Sequence, residues 1–179
     1  MFSCLPCQVA SMPNSLYHSL QGQYFVGYAD NISLDNGKNA WAALSNPIDS
    51  DVNLFVNVWT VTEPSTVPLN IQIWLNVTLP VSLTPSSFVT PTNTALFPLP
   101  TPEAQILQAS NITSLPTDGA IAYTRLSVPG QTLADEEDGK FIIPPGGNFA
   151  LFFSNPSTTS NTANIKVAFG WWEEPICRY

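Results

Sequence analysis

Val52-Asn53-Leu54-Phe55-Val56-Asn57-Val58-Trp59 decides the fold class. Read with a period of two, Val52, Leu54, Val56 and Val58 share one face, and Asn53, Phe55, Asn57 and Trp59 share the other. That is the alternation of a strand buried on one side. A second stretch repeats it, with Ile71, Ile73, Leu75, Val77 and Leu79 opposed by Gln72, Trp74, Asn76 and Thr78. Phe149, Leu151 and Phe153 form a third such face, and Ile165, Val167, Phe169 and Trp171 a fourth.

Working outward, further strands are expected over Gln23 to Tyr28, Asn39 to Leu44, Phe88 to Leu96, Ala120 to Val128 and Lys140 to Ile143. Turn signals separate them: Asn36-Gly37, Asp118-Gly119, Asp138-Gly139, Pro145-Gly146-Gly147 and a polar loop from Asn155 to Thr162. The best helical window, Pro102 to Ser110, is too short to predict a helix. Pro85, Pro91, Pro98, Pro100 and Pro102 belong on a sheet edge or in a long connection, because proline cannot donate to a ladder. These signals predict an all-β fold, an antiparallel jelly-roll β-sandwich of about eight strands.

Residues 1–15 stand apart from this pattern. They hold Cys4, Cys7, Pro6 and Pro13 and no alternation long enough for a core strand. The expected organisation is an extended N-terminal connector arm over 1–15 and one sandwich domain over 16–179. An arm of about twelve extended residues reaches roughly 40 Å, far enough to touch a neighbouring molecule.

Net charge is −8, and only five side chains are lysine or arginine. Binding to phosphate backbones requires clustered Lys and Arg, so nucleic acid and anionic membranes are poor partners. No apolar run approaches the roughly 18–20 residues of a spanning helix, so membrane insertion is not expected. Charged residues make up 10% of the chain, against about 25% in ordinary globular proteins. The surface must then be largely Ser, Thr, Asn and Gln, which suits packing against copies of itself, since few charges need desolvation. The start, Met-Phe-Ser-Cys-Leu-Pro-Cys, lacks a cationic leader and does not read as a secretory signal.

The cysteines add the functional clue. Cys4 and Cys7 lie near one end and Cys177 near the other, with none between. A core staple would pair cysteines from within the core; sulfurs confined to the two tails are placed to tie one molecule to the next. An odd count points the same way, to intermolecular bonds or a reactive thiol. Cys4 or Cys7 would bond Cys177 or another tail cysteine of a neighbour. On the arm, Phe2, Leu5 and Val9 are the expected interface side chains.

The remaining motifs point to chemistry less strongly. His18 is the one histidine, and no strained nucleophile turn accompanies it, so catalysis is not expected. Cys4-Leu5-Pro6-Cys7, with His18 and Cys177, would complete a Cys3His zinc set, yet the second half lacks paired spacing. Asp135-Glu136-Glu137-Asp138-Gly139 reads as a solvated hairpin turn and does not match a calcium loop. No cofactor or metal is assigned. In Trp171-Trp172, alternation sends one indole inward and one outward. The outward one, Trp172, is an expected interface anchor or, alternatively, the stacking platform of a carbohydrate-binding module. Asn31, Asn76 and Asn111 each begin an Asn-X-Ser/Thr sequon, at a frequency this composition produces by chance.

Several segments resemble a family of uncharacterised proteins from spore-forming Gram-positive bacteria. They are Leu16 to Gly27, Val52 to Val58, Glu136 to Phe141, Pro144 to Phe149 and Val167 to Glu174. The architecture is also similar to that of endospore appendage subunits, jelly rolls whose cysteine-bearing N-terminal connector bonds to neighbouring subunits. That resemblance implies a self-assembling, pilus-like fibre on the spore or cell surface, with a spore-coat or exosporium protein as a further partner for its anchorage. A protein made in a mother cell that later lyses needs no export signal and meets oxidant outside.

Overall fold

The computed structural model describes residues 11–156 and 161–176. One helix, α1 (Asn14–Leu20), precedes eleven strands: β1 (Tyr24–Leu34), β2 (Asn39–Ser45), β3 (Val52–Thr62), β4 (Leu69–Leu75), β5 (Thr84–Pro85), β6 (Val89–Pro91), β7 (Gln105–Ile112), β8 (Ala120–Ser127), β9 (Thr132–Ile143), β10 (Asn148–Ser154) and β11 (Ala163–Pro175). They form two antiparallel sheets, ordered β6-β1-β11-β3-β9 and β5-β7-β2-β10-β4-β8. The protein is an all-β sandwich.

The pairing is nested. β1 pairs with β11, β2 with β10, β3 with β9 and β4 with β8. The β1–β4 run alternates between the two sheets, as does the β8–β11 run, so each connection carries the chain across the core. The inward faces meet there: Leu54 and Val56 from β3, Ile71 and Ile73 from β4, Phe149, Leu151 and Phe153 from β10, and Ile165, Val167, Phe169 and Trp171 from β11. A smaller cluster on the far side of the second sheet gathers Trp41, Ala43, Val77, Ala109, Ala150 and Phe152. β10 is therefore buried on both faces.

The alternation holds with specific breaks. In β3 the register shifts between Val56 and Val58. A bulge adds one residue and exchanges the faces beyond it, so Trp59 and Val61 enter the core and Val58 faces out. The expected Ile71-to-Leu79 face ends at Leu75, because Asn76 takes a left-handed φ of 51°. Val77 beyond it joins the smaller cluster. In β1 a bulge between Ala29 and Ile32 is built on Asn31 at φ 61°, which keeps both apolar residues buried. Asn111 is left-handed too, at φ 54°. The three sequon asparagines thus share a backbone duty, since asparagine tolerates this region better than other side chains that carry a Cβ.

Other expectations are corrected. The window Pro102 to Ser110, over which no strand was expected, contains most of strand β7, paired with β2. Phe88 to Leu96 contracts to the three-residue β6. The short β5 and β6 carry Pro85 and Pro91 at the sheet edges, where a missing donor costs least. The acidic run is not a hairpin turn: it lies inside the twelve-residue β9. Asn14 and Ser15, assigned to the arm, begin α1. The rest of the arm through Ala10, with Phe2, Cys4, Leu5, Cys7 and Val9, lies outside the described residues, as does Cys177.

Candidate interaction surface

The outer face of the first sheet holds the most distinctive surface, in two adjoining parts. Along β11 its outward residues run Trp172, Gly170, Ala168 and Lys166. The Trp172 end is roofed by α1. The Gly170–Ala168 stretch is open.

α1 exists because of its ends. Its first turn is closed by the Tyr17 N–H donating to the Pro13 carbonyl, at 3.0 Å. At the other end Gly22, at φ 75°, donates to the Ser19 carbonyl (3.0 Å), and Gln23 donates to the His18 carbonyl (2.9 Å). This is the paired-bond stop that a left-handed glycine permits. The helix buries His18 and leaves Leu16, Tyr17 and Leu20 exposed. The His18 ring lies 5.0 Å from the Trp172 indole, at an interplanar angle of 8°. Its Nδ1 is 3.0 Å from Gln23 Oε1, and its Nε2 is 3.2 Å from Glu174 Oε1. Trp172 Nε1 also donates to Glu174 Oε1, at 3.1 Å. Phe55 stacks on the same indole, 5.4 Å away and nearly parallel.

Trp172 does face away from the core, as alternation requires. It is, however, only 3% exposed, because the chain's own helix covers it. The expectation of a free anchor or sugar platform at Trp172 is corrected on that ground.

β9 shapes itself to this indole. Asp138 (φ 50°) and Gly139 (φ 73°) loop the strand outward between the pairs Val58–Glu136 and Val56–Phe141. A Cβ on Gly139 would sit 2.1 Å from Trp172 Cη2, so only glycine fits. The loop also disperses the acidic run. Asp135 pairs with Arg125 at 2.8 Å, Glu136 and Asp138 are exposed, and Glu137 turns inward. Its Oε1 accepts from Trp59 Nε1 at 3.1 Å and from the Tyr123 hydroxyl. Burial, and that bond to a carboxylate, push the Tyr123 phenol well above its usual range. Among the described residues, no three His, Cys, Asp or Glu side chains are grouped to hold a metal ion.

Beyond Trp172 the floor drops. Gly170 and Ala168 line a hollow of about 640 Å³, walled by Val26 and Tyr28 of β1, Val58 and Thr60 of β3, and Phe88 and Val89 beside β6. Val58 is there because of the β3 bulge. Phe88 stacks on Tyr28 at 4.7 Å. Val26, Tyr28 and Phe88 are 37%, 40% and 54% exposed, so the groove opens to solvent. Tyr24 divides the two parts, accepting from Asn57 Nδ2 at 2.8 Å. Burial raises its phenol pKa, with a smaller push from Glu136, against the Asn57 bond. The far end is marked by Lys166, 3.6 Å from Asp30.

Residues close to the two ends of the described body are neighbours. Asn14 and Pro175 line one hollow with Tyr17, His18, Gln23 and Glu174. Pro13 and Asn14 also border Asn57 and Trp172. The expected interface residues on the arm were legible only as tail residues. The groove was not foreseen, because its wall residue Val58 reads as core until the bulge is known.

Fold and surface together define an all-β sandwich with a half-roofed apolar sheet face. The chain belongs to a family of unknown function, DUF6143, whose model matches residues 5–178. No curated protein and no solved structure matches it. No described helix is long and apolar enough to cross a membrane.

Proposed function

We propose that the chain is a structural subunit that assembles head to tail into an extracellular, pilus-like fibre on the spore surface. Its N-terminal arm docks on a neighbouring copy, and intermolecular disulfides through Cys4, Cys7 and Cys177 lock the contact. The observation that carries the reading is where the sulfur lies. Every cysteine sits in a tail, while the sandwich core closes chiefly on apolar side chains and contains no cysteine. A bond between tails adds nothing to such a core but resists separation of subunits.

Further support comes from strand order. β1-β11-β3-β9 opposite β2-β10-β4-β8, with consecutive strands changing sheets, favours a jelly roll, with β7 added beside β2 and β5 and β6 as edge additions. The neighbouring exits of the two tails favour one junction in which an arm cysteine of one copy meets Cys177 of another. A disulfide needs Cα atoms within about 7 Å. A repeated contact between two different patches grows an open filament unless its rotation closes a ring. The spore location rests on the resemblance to appendage subunits. An exosporium or coat protein would anchor the fibre base.

The test is electrophoresis without reductant, paired with electron microscopy. Oxidised protein is expected to give a ladder that collapses with dithiothreitol, and fibres in the same sample. A monomer carrying a Cys177 bond to its own Cys4 or Cys7, with no fibres, would overturn the proposal.

A further inference from the structure

We infer that the open groove on the outer face of the first sheet is the seat for residues 1–10 of a second copy of this chain. This deepens the fibre reading and rests on it.

The groove is the width of one chain. Its walls stand on β1 and β3, which flank β11 on either side, so they are roughly 10 Å apart at the usual strand spacing. Its floor is low because Gly170 and Ala168 bring little or no side chain to the middle strand. Its lining is nearly all carbon. Among the described residues, the ion pair of Lys166 with Asp30 stands at the far end.

Met1-Phe2-Ser3-Cys4-Leu5-Pro6-Cys7-Gln8-Val9-Ala10 suits that lining, having no charged residue and apolar side chains at Phe2, Leu5, Pro6 and Val9. Placing it there desolvates no charged side chain, whereas the open groove leaves Val26, Tyr28 and Phe88 in water. At about 25 cal/mol per Å² of apolar area, covering them favours association.

Length then allows the segment to reach a second copy. The segment leaves the body beside Pro13 and Asn14, which border Asn57 and Trp172 on this same face. Ten extended residues span roughly 33 Å. From Gly170 to Lys166 the open stretch needs only about 13 Å. The excess of about 20 Å is length available to cross from one body to the next before docking.

The experiment uses the full chain with Tyr28 replaced by the photocrosslinker p-benzoylphenylalanine. Isotopically heavy and normal copies are mixed, assembled, irradiated, reduced, digested and analysed by mass spectrometry. The expected adduct joins position 28 of one isotope to a peptide from residues 1–10 of the other. Adding Val26→Lys to the same chain should abolish it. A repeat with the crosslinker at Thr60 covers the case in which position 28 disturbs folding. Adducts confined to one isotope, adducts to other segments, or no adduct at either position would each overturn the inference. Micrographs of the same samples separate the two readings: fibres without the adduct refute the groove alone, while absence of fibres and ladder refutes the assembly as well.

Discussion

The two ends of one sheet face have the same strands beneath them and opposite fates above. At one end the outward residues Tyr24, Trp172 and Phe55 are large, and α1 lies over them with His18 stacked on the indole. At the other the outward residues are Gly170 and Ala168, and solvent reaches Val26 and Tyr28. Strand geometry does not distinguish them. What differs is whether the described chain supplies a cover. Where it does, the side chains beneath are aromatic and tightly stacked; where it does not, the floor is small and the rim apolar. A face built merely to be wet would carry polar side chains in those positions.

The largest effect is expected at the covered end. Trp172→Ala removes an indole held between His18, Phe55 and the Gly139 backbone. It should cost about 3–5 kcal/mol, in the range of buried Trp truncations, and lower Tm on the order of 10 °C. Chemical denaturation measures the first and calorimetry the second. A cost below about 1 kcal/mol would mean that α1 contributes no real cover and that the two ends are alike.

A smaller effect tests how tightly the open end is made. Gly170 has no left-handed φ to require glycine, but a Cβ there would meet Tyr24 Oη at 2.7 Å and Val58 Cγ1 at 2.8 Å. Both are side-chain termini that shift at some cost. The clash is partly offset by the loss of glycine's freedom in the unfolded chain. Gly170→Ala should therefore destabilise by about 1–2 kcal/mol, read from the denaturant midpoint at unchanged slope. No change would show that Tyr24 and Val58 move freely, and that the boundary between roofed and open parts is soft.

The difference between the two ends also marks what sequence could and could not tell. Alternation placed Leu54, Val56, Ile165, Val167, Phe169 and Trp171 inward, because each face of a strand is set by its own residues. It misplaced Val58 and Trp59, because the bulge at Val56–Val58 is a matter of register with β9 and β11, which no residue of β3 announces alone. It sent Trp172 outward correctly and exposed it wrongly. The missing term was α1, seven residues of indifferent helix propensity held by tertiary contact. Its signals were present, since Pro13 before it and Gly22 after it are the punctuation of a short helix. The acidic run was misread because Asp138-Gly139 is turn chemistry, and here it serves a loop within one strand. β7 was missed because Gln105, Gln108, Ser110 and Asn111 interrupt its alternation, and only Ile106 and Ala109 are buried. Tail cysteines needed no structure to be noticed; their pairing across two molecules belongs to the proposal.

The smallest expected change in stability separates the two ends most sharply. Val26→Lys places a charge on the groove rim at a position already 37% exposed. Exposed substitutions of this kind usually stay within about 0.5 kcal/mol, so Tm should move by no more than about 2 °C. Assembly should respond differently, because an ammonium at the rim must be desolvated when an uncharged apolar segment docks beside it. Fibres should shorten or vanish at fixed protein concentration, judged by micrographs and by the sedimentable fraction. Suppose instead that Tm falls by many degrees in the full chain but not in a chain lacking residues 1–10. The groove is then filled by the chain's own N-terminus. Both ends of the face would be roofed from within, and the contrast between them would reduce to a difference between a helix and an extended strap.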